Sequence, residues 1–408
     1  MRMVSRRVFL QTACVAAGAA PLASCSWSGS RQSAPGEVPM PCAPTAWQKH
    51  GVILEPTEPW EGDGIENFTS PAEPLGGGAW RLWYSVSGKR RNGLAYAEGV
   101  PGERMKKVLA QCSPGEPPDA PFAIGGLPEG WRPVQVVHLR LRNGRHRIYF
   151  WAHGEGILRY LAADSSDGRR YRVLNPLRPV LYHPHDRAAH GVASPDGVVL
   201  HREPSRNRPA EEPLAPSRLI SNDATNVYQL ADGTFEMYSV ALVPVPKGDP
   251  AYIEFDNAPG LIRVVDRYTS EDGLHFETRE RVVQRDGGDP ADQQFYYLAV
   301  TWTGRGRVGV LGHYRCAAQT MDVEWCFSRD GVRWERPLRQ AWLARGASPA
   351  PDCYGIYANH QLVRQGGRWH LFYTAVNSAH NGRDACGPPR DVIMLATTDS
   401  LWADGARD

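Results

Sequence analysis

One phrase recurs along this chain, and few folds can accommodate it. Asp322–Arg336 reads D-V-E-W-C-F-S-R-D-G-V-R-W-E-R: a strand, a tight Asp-Gly turn, and an aromatic residue that opens the next strand. The same wording returns as L-A-A-D-S-S-D-G-R-R-Y at Leu161–Tyr171 and as V-D-R-Y-T-S-E-D-G-L-H-F at Val265–Phe276. Degraded forms stand at Met394–Trp402 (M-L-A-T-T-D-S-L-W) and Gly93–Gly99 (G-L-A-Y-A-E-G). With Glu98, Asp167, Asp272, Asp330 and Asp399 as markers, the spacings are 69, 105, 58 and 69 residues. Such spacing means five repeats, one of them enlarged by the Pro-, Arg- and His-rich stretch Tyr182–Leu219.

Each repeat reads as four strands. Inner strands are expected at Ser70–Leu75, Val134–Leu139, Asn226–Leu230, Leu298–Trp302 and Asn359–Val363, and each is followed by an aromatic strand such as W-R-L-W-Y-S at Trp80–Ser85. Aromatic and β-branched enrichment, alternation, and the lack of capped segments with helical periodicity exclude helix nearly everywhere. Trp47–Pro56 reads as a fourth strand with no hairpin before it, whereas the chain stops six residues after Trp402 with no room for one. An orphan strand at the start and a missing one at the end predict an all-β, five-bladed β-propeller closed by its N-terminal strand. A large β-sandwich, the competing architecture, does not explain the complementary ends.

The first 24 residues hold no Asp or Glu and read as an export signal, with Arg6-Arg7-Val8-Phe9-Leu10 resembling a twin-arginine motif and Leu22-Ala23-Ser24-Cys25 a lipoprotein cleavage box. The expected organisation is a signal peptide over 1–24, a Ser/Pro/Gly-rich tether over 25–45 and the propeller over 46–408. The mature chain is then exported and tethered at the cell envelope only through lipid on Cys25. Losing three Arg with the signal leaves 43 basic against 44 acidic residues, so net charge gives no footing for nucleic-acid binding. Six cysteines remain: Cys42, Cys112, Cys316, Cys326, Cys353 and Cys386. An even count in an exported chain predicts disulfides, with Cys316–Cys326 and Cys353–Cys386 the expected pairs and Cys42–Cys112 following by elimination.

In a propeller the starts of the inner strands converge at one mouth, so the residues preceding them become neighbours. Glu66, Asn67, Trp60, Glu61 and Asp63 precede the first; Trp131 and Arg132 the second; Asn222 and Asp223, with Asn226, the third. Asp289, Asp292, Gln293 and Tyr296 precede the fourth, and Asp352, Tyr354 and Tyr357, with Asn359 and His360, the fifth. Acids for proton transfer, amides for hydroxyls and flat rings for apolar faces are what a sugar site requires. Glu66 and Asp223 are the expected catalytic carboxyls, with Asp292 in reserve, although a solvated loop acid or a turn cap is open to each. Asn67, Trp131, Arg132, Asn226, Tyr296, Tyr354 and His360 are the expected substrate contacts. Arg132 suits a carboxylate or sulfate on the substrate, or else a salt bridge to Glu66 or Asp223.

The S-x-D-G-x-x-aromatic turn, the W-R-L-W-Y-S strand and D-A-T-N-V at Asp223–Val227 resemble the five-bladed propeller glycosidases of glycoside hydrolase families 32 and 43 and their secreted relatives, over about Trp47–Trp402. That resemblance implies an acid before the first inner strand as base or nucleophile, an Asp before the second that tunes it, and a Glu before the third as proton donor. Glu66 or Asp63 matches the first position. The chain departs at the second, where W-R-P at Trp131–Pro133 has no acid, and at the third, where Asp223 is one methylene shorter than Glu. The function expected is glycoside hydrolysis; the alternative is a non-catalytic glycan-binding propeller. A protein scaffold would instead need an exposed apolar patch. His183, His185, Asp186 and His190 have metal-ligand spacing but sit in the insertion without strand support and read as a surface loop. No cofactor is expected, a structural calcium on the axis having no support in the sequence, and the partner expected is a carbohydrate bound by a monomer.

Overall fold

The S-x-D-G phrases form the expected turns. Ser165 Oγ accepts the N–H of Gly168 at 3.0 Å, Ser270 Oγ that of Gly273 at 2.9 Å, and Ser328 Oγ that of Gly331 at 2.8 Å. The Asp two residues on accepts the next free N–H groups, as Asp330 Oδ1 does from Val332 and Arg333 at 2.8 and 2.9 Å. The glycines lie at φ of +69°, +72° and +81°, where a side chain is strained. Close approach also excludes one: a Cβ on Gly273 would fall 2.6 Å from Tyr149 Oη, and one on Gly331 2.7 Å from Tyr238 Oη. Each of these two turns is thereby docked on the preceding sheet, Tyr149 Oη donating to Gly273 O at 2.8 Å.

The computed structural model describes residues 37–406 except 63, 89–90, 110–123, 155–156, 169, 183–218 and 277. The chain divides into Met1–Glu37 and Val38–Asp408, and the strands belong to the second unit. It is all-β, with two short 3-10 turns and no α-helix among the described residues. Strand β1 (Gln48–Leu54) is followed by a first sheet of β2 (Ile65–Glu66), β3 (Ala72–Gly76), β4 (Ala79–Gly88), β5 (Arg91–Gly99) and β6 (Lys106–Leu109). A second holds β7 (Arg132–Arg140), β8 (His146–Gly154), β9 (Ile157–Ser165), β10 (Arg172–Val173) and β11 (Leu181–Tyr182). A third holds β12 (Leu219–Gln229), β13 (Phe235–Pro244), β14 (Leu261–Ser270) and β15 (Thr278–Val283). The largest combines two antiparallel groups. One is β16 (Gln293–Thr303), β17 (Gly306–Arg315), β18 (Thr320–Ser328) and β19 (Ala341–Leu343). The other is β20 (Gly355–Ala358), β21 (Val363–Gln365), β22 (Arg368–Val376) and β23 (Asp391–Thr398), with β1 on its edge. One parallel pair, Met321 with Gly355, joins the two groups.

The orphan strand pairs where the complementary ends require. β1 lies antiparallel to β23, with Gln48 opposite Thr397 and Val52 opposite Met394. Apolar clusters fill the spaces between successive groups. Trp83 and Tyr96 meet Ile148 and Phe150, and Tyr149 and Trp151 meet Met237 and Tyr268. Tyr238 and Val265 meet Phe295 and Leu311, and Trp325 meets Tyr373 and Trp402. The first and last groups, far apart in sequence, are packed in the same way: Trp80 meets Phe372 with ring centroids 4.8 Å apart. Each such aromatic pair adds about 0.5–1.5 kcal/mol beyond its buried area.

The leading strands depart from expectation in a consistent way. They begin earlier than the apolar runs suggested and then lose register: between Val134 and Val137 in β7, Ile220 and Thr225 in β12, and Phe295 and Leu298 in β16. In the first and last groups the same interruption splits β2 from β3 and β20 from β21, each pair sharing one partner strand. A bulge leaves residues unpaired and re-aims their side chains. At the interruptions one sheet is linked to the next, Ser70 Oγ donating to Val136 O at 2.9 Å; just past them Asn226 Nδ2, in register with Tyr238, donates to Leu298 O at 3.0 Å.

Cys353 and Cys386 form the expected disulfide, but Cys316 and Cys326 do not pair, and both are free and buried. Register is the reason. Cys316 lies beyond the end of β17, whereas Cys326 stands opposite Gly309, six residues back along that strand. Cys42 is also free and buried. Cys112, residues 1–36 with the signal, Cys25 and most of the tether, and the His183–His190 run lie outside the described residues.

Candidate active site

Interrupted leading strands of four groups border a cavity of about 260 Å³ lined by Glu66, Phe68, Gln135, Tyr296, Tyr357, Thr374, Val376, Ser378, Ala379, His380 and Asp391. Bulge positions supply two of these, Gln135 of β7 and Tyr296 of β16. The rest come from β2 and the segment after it, from β20, β22 and the first residue of β23, and from the loop joining β22 to β23. Phe68, Tyr296 and Tyr357 pack edge to face or tilted with centroids 5.3–6.3 Å apart, giving one side of the cavity an aromatic lining.

One wall is charge-paired. Arg263, at the start of β14 and 2% exposed, donates from Nε to Asp223 Oδ2 at 3.1 Å, and from Nη1 to Asp256 Oδ2 at 3.1 Å and Gln294 Oε1 at 3.0 Å. Tyr296 Oη donates to Asp223 Oδ1 at 2.7 Å, and Tyr314 Oη to Asp256 Oδ1 at 2.6 Å. Burial works against the guanidinium, yet Asp223, Tyr296 and Asp256 hold it firmly charged. Burial and the Asp223 charge push the Tyr296 phenol well above its ordinary value, so it remains a donor. Asp223 therefore stands behind Tyr296 as an ion-paired acceptor.

The other wall has acids without counter-ions. Glu66 and Asp391 make no ion pair or side-chain hydrogen bond among the described residues. Arg390, next in sequence to Asp391, turns away to Glu55 at 3.6 Å. Glu66 lines the cavity and is half-buried. Burial, and then the Asp391 charge, push its carboxyl up to about 7. Burial alone pushes Asp391 up to about 6. Desolvation penalises the charged form and a like charge adds to it, so toward neutral pH Glu66 still holds its proton in part, whereas Asp391 gives its proton up first. His380 has the opposite shift: burial first, then Arg263, bring its imidazole down to about 4. It is a neutral ring, with Nδ1 at 3.0 Å from Tyr357 Oη and Nε2 at 2.9 Å from Asn257 Nδ2.

Of the residues singled out in the sequence, Glu66, Tyr296 and Tyr357 line this cavity, and Asp223 backs Tyr296. Asp292 stands apart, its Oδ1 accepting from Arg315 at 2.6 Å. Asn67 is buried, its Oδ1 accepting from Thr374 Oγ1 at 3.1 Å, and Asn226 serves the inter-sheet bond described above. His360 is buried, bonding Val227 O at 2.8 Å and stacking on Tyr228 at 4.2 Å between centroids, and burial brings it down to about 4. Glu61 is a buried acceptor for Tyr84 Oη at 2.8 Å and Lys107 Nζ at 2.7 Å. Tyr354 Oη donates to Asp384, Trp131 carries the Arg159 guanidinium over its ring at 5.1 Å, and Arg132 is exposed outside the cavity lining. The ion pair once open to Arg132 is made by Arg263 instead. Asp63 lies outside the described residues.

The order of strands explains what was missed. In an antiparallel group the leading strand starts, the second ends and the third starts at the same edge, so Val376–His380 and Asp391 belong at the mouth as surely as Tyr357 does. A search for charged residues at the starts of the third strands, as well as before the first, would have found Asp391 and Arg263.

No family model matches the chain, and no curated protein is a significant match. Solved structures do match. One described as a glycoside hydrolase superposes with a TM-score of 0.56 at 15% identity, over 90% of this chain and 95% of that one. A thermostable family-43 glycoside hydrolase gives 0.50 at 12% identity, over 81% and 88%. The chain shares its fold with glycoside hydrolases. The likeness to family 43 read from the turn phrases thus holds for the fold. An N-acetylgalactosamine deacetylase from F. plautii, solved with blood group B trisaccharide, gives 0.51 at 14% identity over 89% and 100%. One fold therefore carries more than one reaction, and the chemistry must be argued from the site.

Proposed function

We propose that this chain is an exported, lipid-anchored, monomeric five-bladed β-propeller, closed by β1, that hydrolyses glycosidic bonds of an uncharged oligo- or polysaccharide in the cavity around Glu66. The observation that carries this reading is a carboxyl raised to about 7 on the wall of a cavity faced with tyrosines. A neutral carboxylic acid at working pH is what protonating a leaving glycosidic oxygen demands. Glu66 is thus the proton donor, not the base or nucleophile its position before the first inner strand implied. Among the described lining residues there is no Lys or Arg, which favours a sugar without carboxylate or sulfate. The β1–β23 pairing and the Trp80–Phe372 contact support a closed ring. The Cys353–Cys386 bridge supports export, because such bonds persist in oxidising compartments.

One observation favours the non-catalytic glycan-binding alternative: the second position, where the glycosidases it resembles carry a tuning acid, is occupied by Arg132, exposed and outside the lining. The two are separated by incubating the protein and its Glu66→Gln variant with a panel of uncharged plant and algal oligosaccharides. Hydrolysis is expected from the wild type and a loss of about 10²–10⁴-fold from the variant, the usual contribution of a general acid. Binding without cleavage on every substrate, unchanged by Glu66→Gln, would establish a binding protein.

A further inference from the structure

Glycoside hydrolysis takes two carboxyls, and the geometry points to Asp391, the first residue of β23, as the partner of Glu66. This inference rests on the hydrolase reading above. Asp223 lies behind Tyr296 with both oxygens engaged, by Tyr296 and by Arg263. Asp292 is held by Arg315 and does not reach the lining. Asp391 does, on the same wall as Glu66. The segments carrying the two acids are packed side by side at Gly64: a Cβ there would stand 3.4 Å from Asp391 Cβ and 3.5 Å from its Oδ2.

The last antiparallel group, not the second or third, therefore supplies the second acid. In the reaction Glu66 gives its proton to the glycosidic oxygen as the bond from that oxygen to the anomeric carbon breaks. Asp391, ionised, takes a proton from the water whose oxygen bonds to that carbon. One water is consumed, two hydroxyl groups appear, and solvent returns the proton from Asp391 to Glu66. A base works best when its proton affinity is near the working pH, and the burial of Asp391 moves it in that direction.

The test uses Asp391→Asn and Asp391→Ala in the full chain, on an oligosaccharide the wild type cleaves and on its aryl glycoside. Asp391→Asn is expected to lower kcat by about 10³-fold with KM little changed, while melting no lower than wild type, since it replaces a half-buried acid that has no counter-ion among the described residues. Azide, an anion able to attack without a base, is expected to restore at least tenfold of the Asp391→Ala rate and to yield a glycosyl azide. Activity of Asp391→Asn within tenfold of wild type, with Glu66→Gln inactive, would overturn the assignment of Asp391 and leave the hydrolase reading standing. Full activity of Glu66→Gln, or no cleavage by the wild type on any substrate, would overturn both. A kcat loss accompanied by a lowered melting temperature and no azide rescue would reduce Asp391 to a structural role.

Discussion

Two walls of one cavity treat buried charge in opposite ways. Around Arg263, every acid is answered: Asp223 and Asp256 share one guanidinium, and tyrosine hydroxyls occupy oxygens of both. Glu66 and Asp391 have no cation paired with them among the described residues, and both carboxyls are pushed above the ordinary range, Glu66 the higher. Burying an unpaired charge costs several kcal/mol, and a group that can avoid it by holding a proton will do so. The first wall thus holds Tyr296 in a charge-paired scaffold, and the second carries the carboxyl, Glu66, to which the proposed hydrolysis assigns the proton.

The contrast is broken most severely from the scaffold side. Arg263→Met leaves Asp223 and Asp256 without their cation and should lower unfolding free energy by about 3–5 kcal/mol in urea denaturation. A loss below about 1 kcal/mol would mean that this wall is not held by charge pairing. A smaller effect is expected from the loop that delivers His380. That loop is tied at its base by Cys353–Cys386 and by Asn377, which bonds Pro388 O at 3.0 Å and the Arg390 N–H at 2.9 Å. Replacing both cysteines by Ala should cost about 2–4 kcal/mol and raise KM more than it lowers kcat.

The acid wall makes a pH-dependent prediction. Folding raises Glu66 from 4.5 to about 7 and Asp391 from 3.8 to about 6. The folded state therefore binds protons more tightly than the unfolded chain. The resulting stabilisation is complete below pH 4 and is lost as pH rises through 6 and 7. Discounted for the partial exposure of Glu66, its share is about 2 kcal/mol. Glu66→Gln lacks it, so relative to wild type the variant should gain about 2 kcal/mol between pH 4 and pH 8, read by denaturation at both values. A pH-independent difference would place Glu66 in solvent.

Much of this architecture is legible in the chain. The S-x-D-G phrases specify their own turns because Ser and Asp side chains satisfy local N–H groups and Gly supplies the left-handed φ, and the orphan Trp47–Pro56 announces its pairing with β23. The site is legible only in part. Glu66 and Tyr296 stand out as an acid and an aromatic ahead of apolar runs. Bulges, however, carry no local signature here: Gln135 reaches the cavity from φ +52°, a conformation its neighbours in sequence do not advertise. Asp391 and Arg263 follow from knowing which strand ends share an edge. Which carboxyl meets a guanidinium, Asp223 with Arg263 instead of Arg132, depends on packing across sheets, and so does the failure of Cys316 to reach Cys326.

Glu66 is the residue on which the difference between the walls depends, and its protonation can be observed without any substrate. With carboxyl-labelled glutamate, the chemical shift of Glu66, assigned by its absence in Glu66→Gln, is followed from pH 3 to pH 9. A midpoint near 7 is expected, falling when Asp391→Asn removes the neighbouring charge. A midpoint in the ordinary carboxylate range, about 4–5, would mean that Glu66 is ionised at working pH and cannot be the acid.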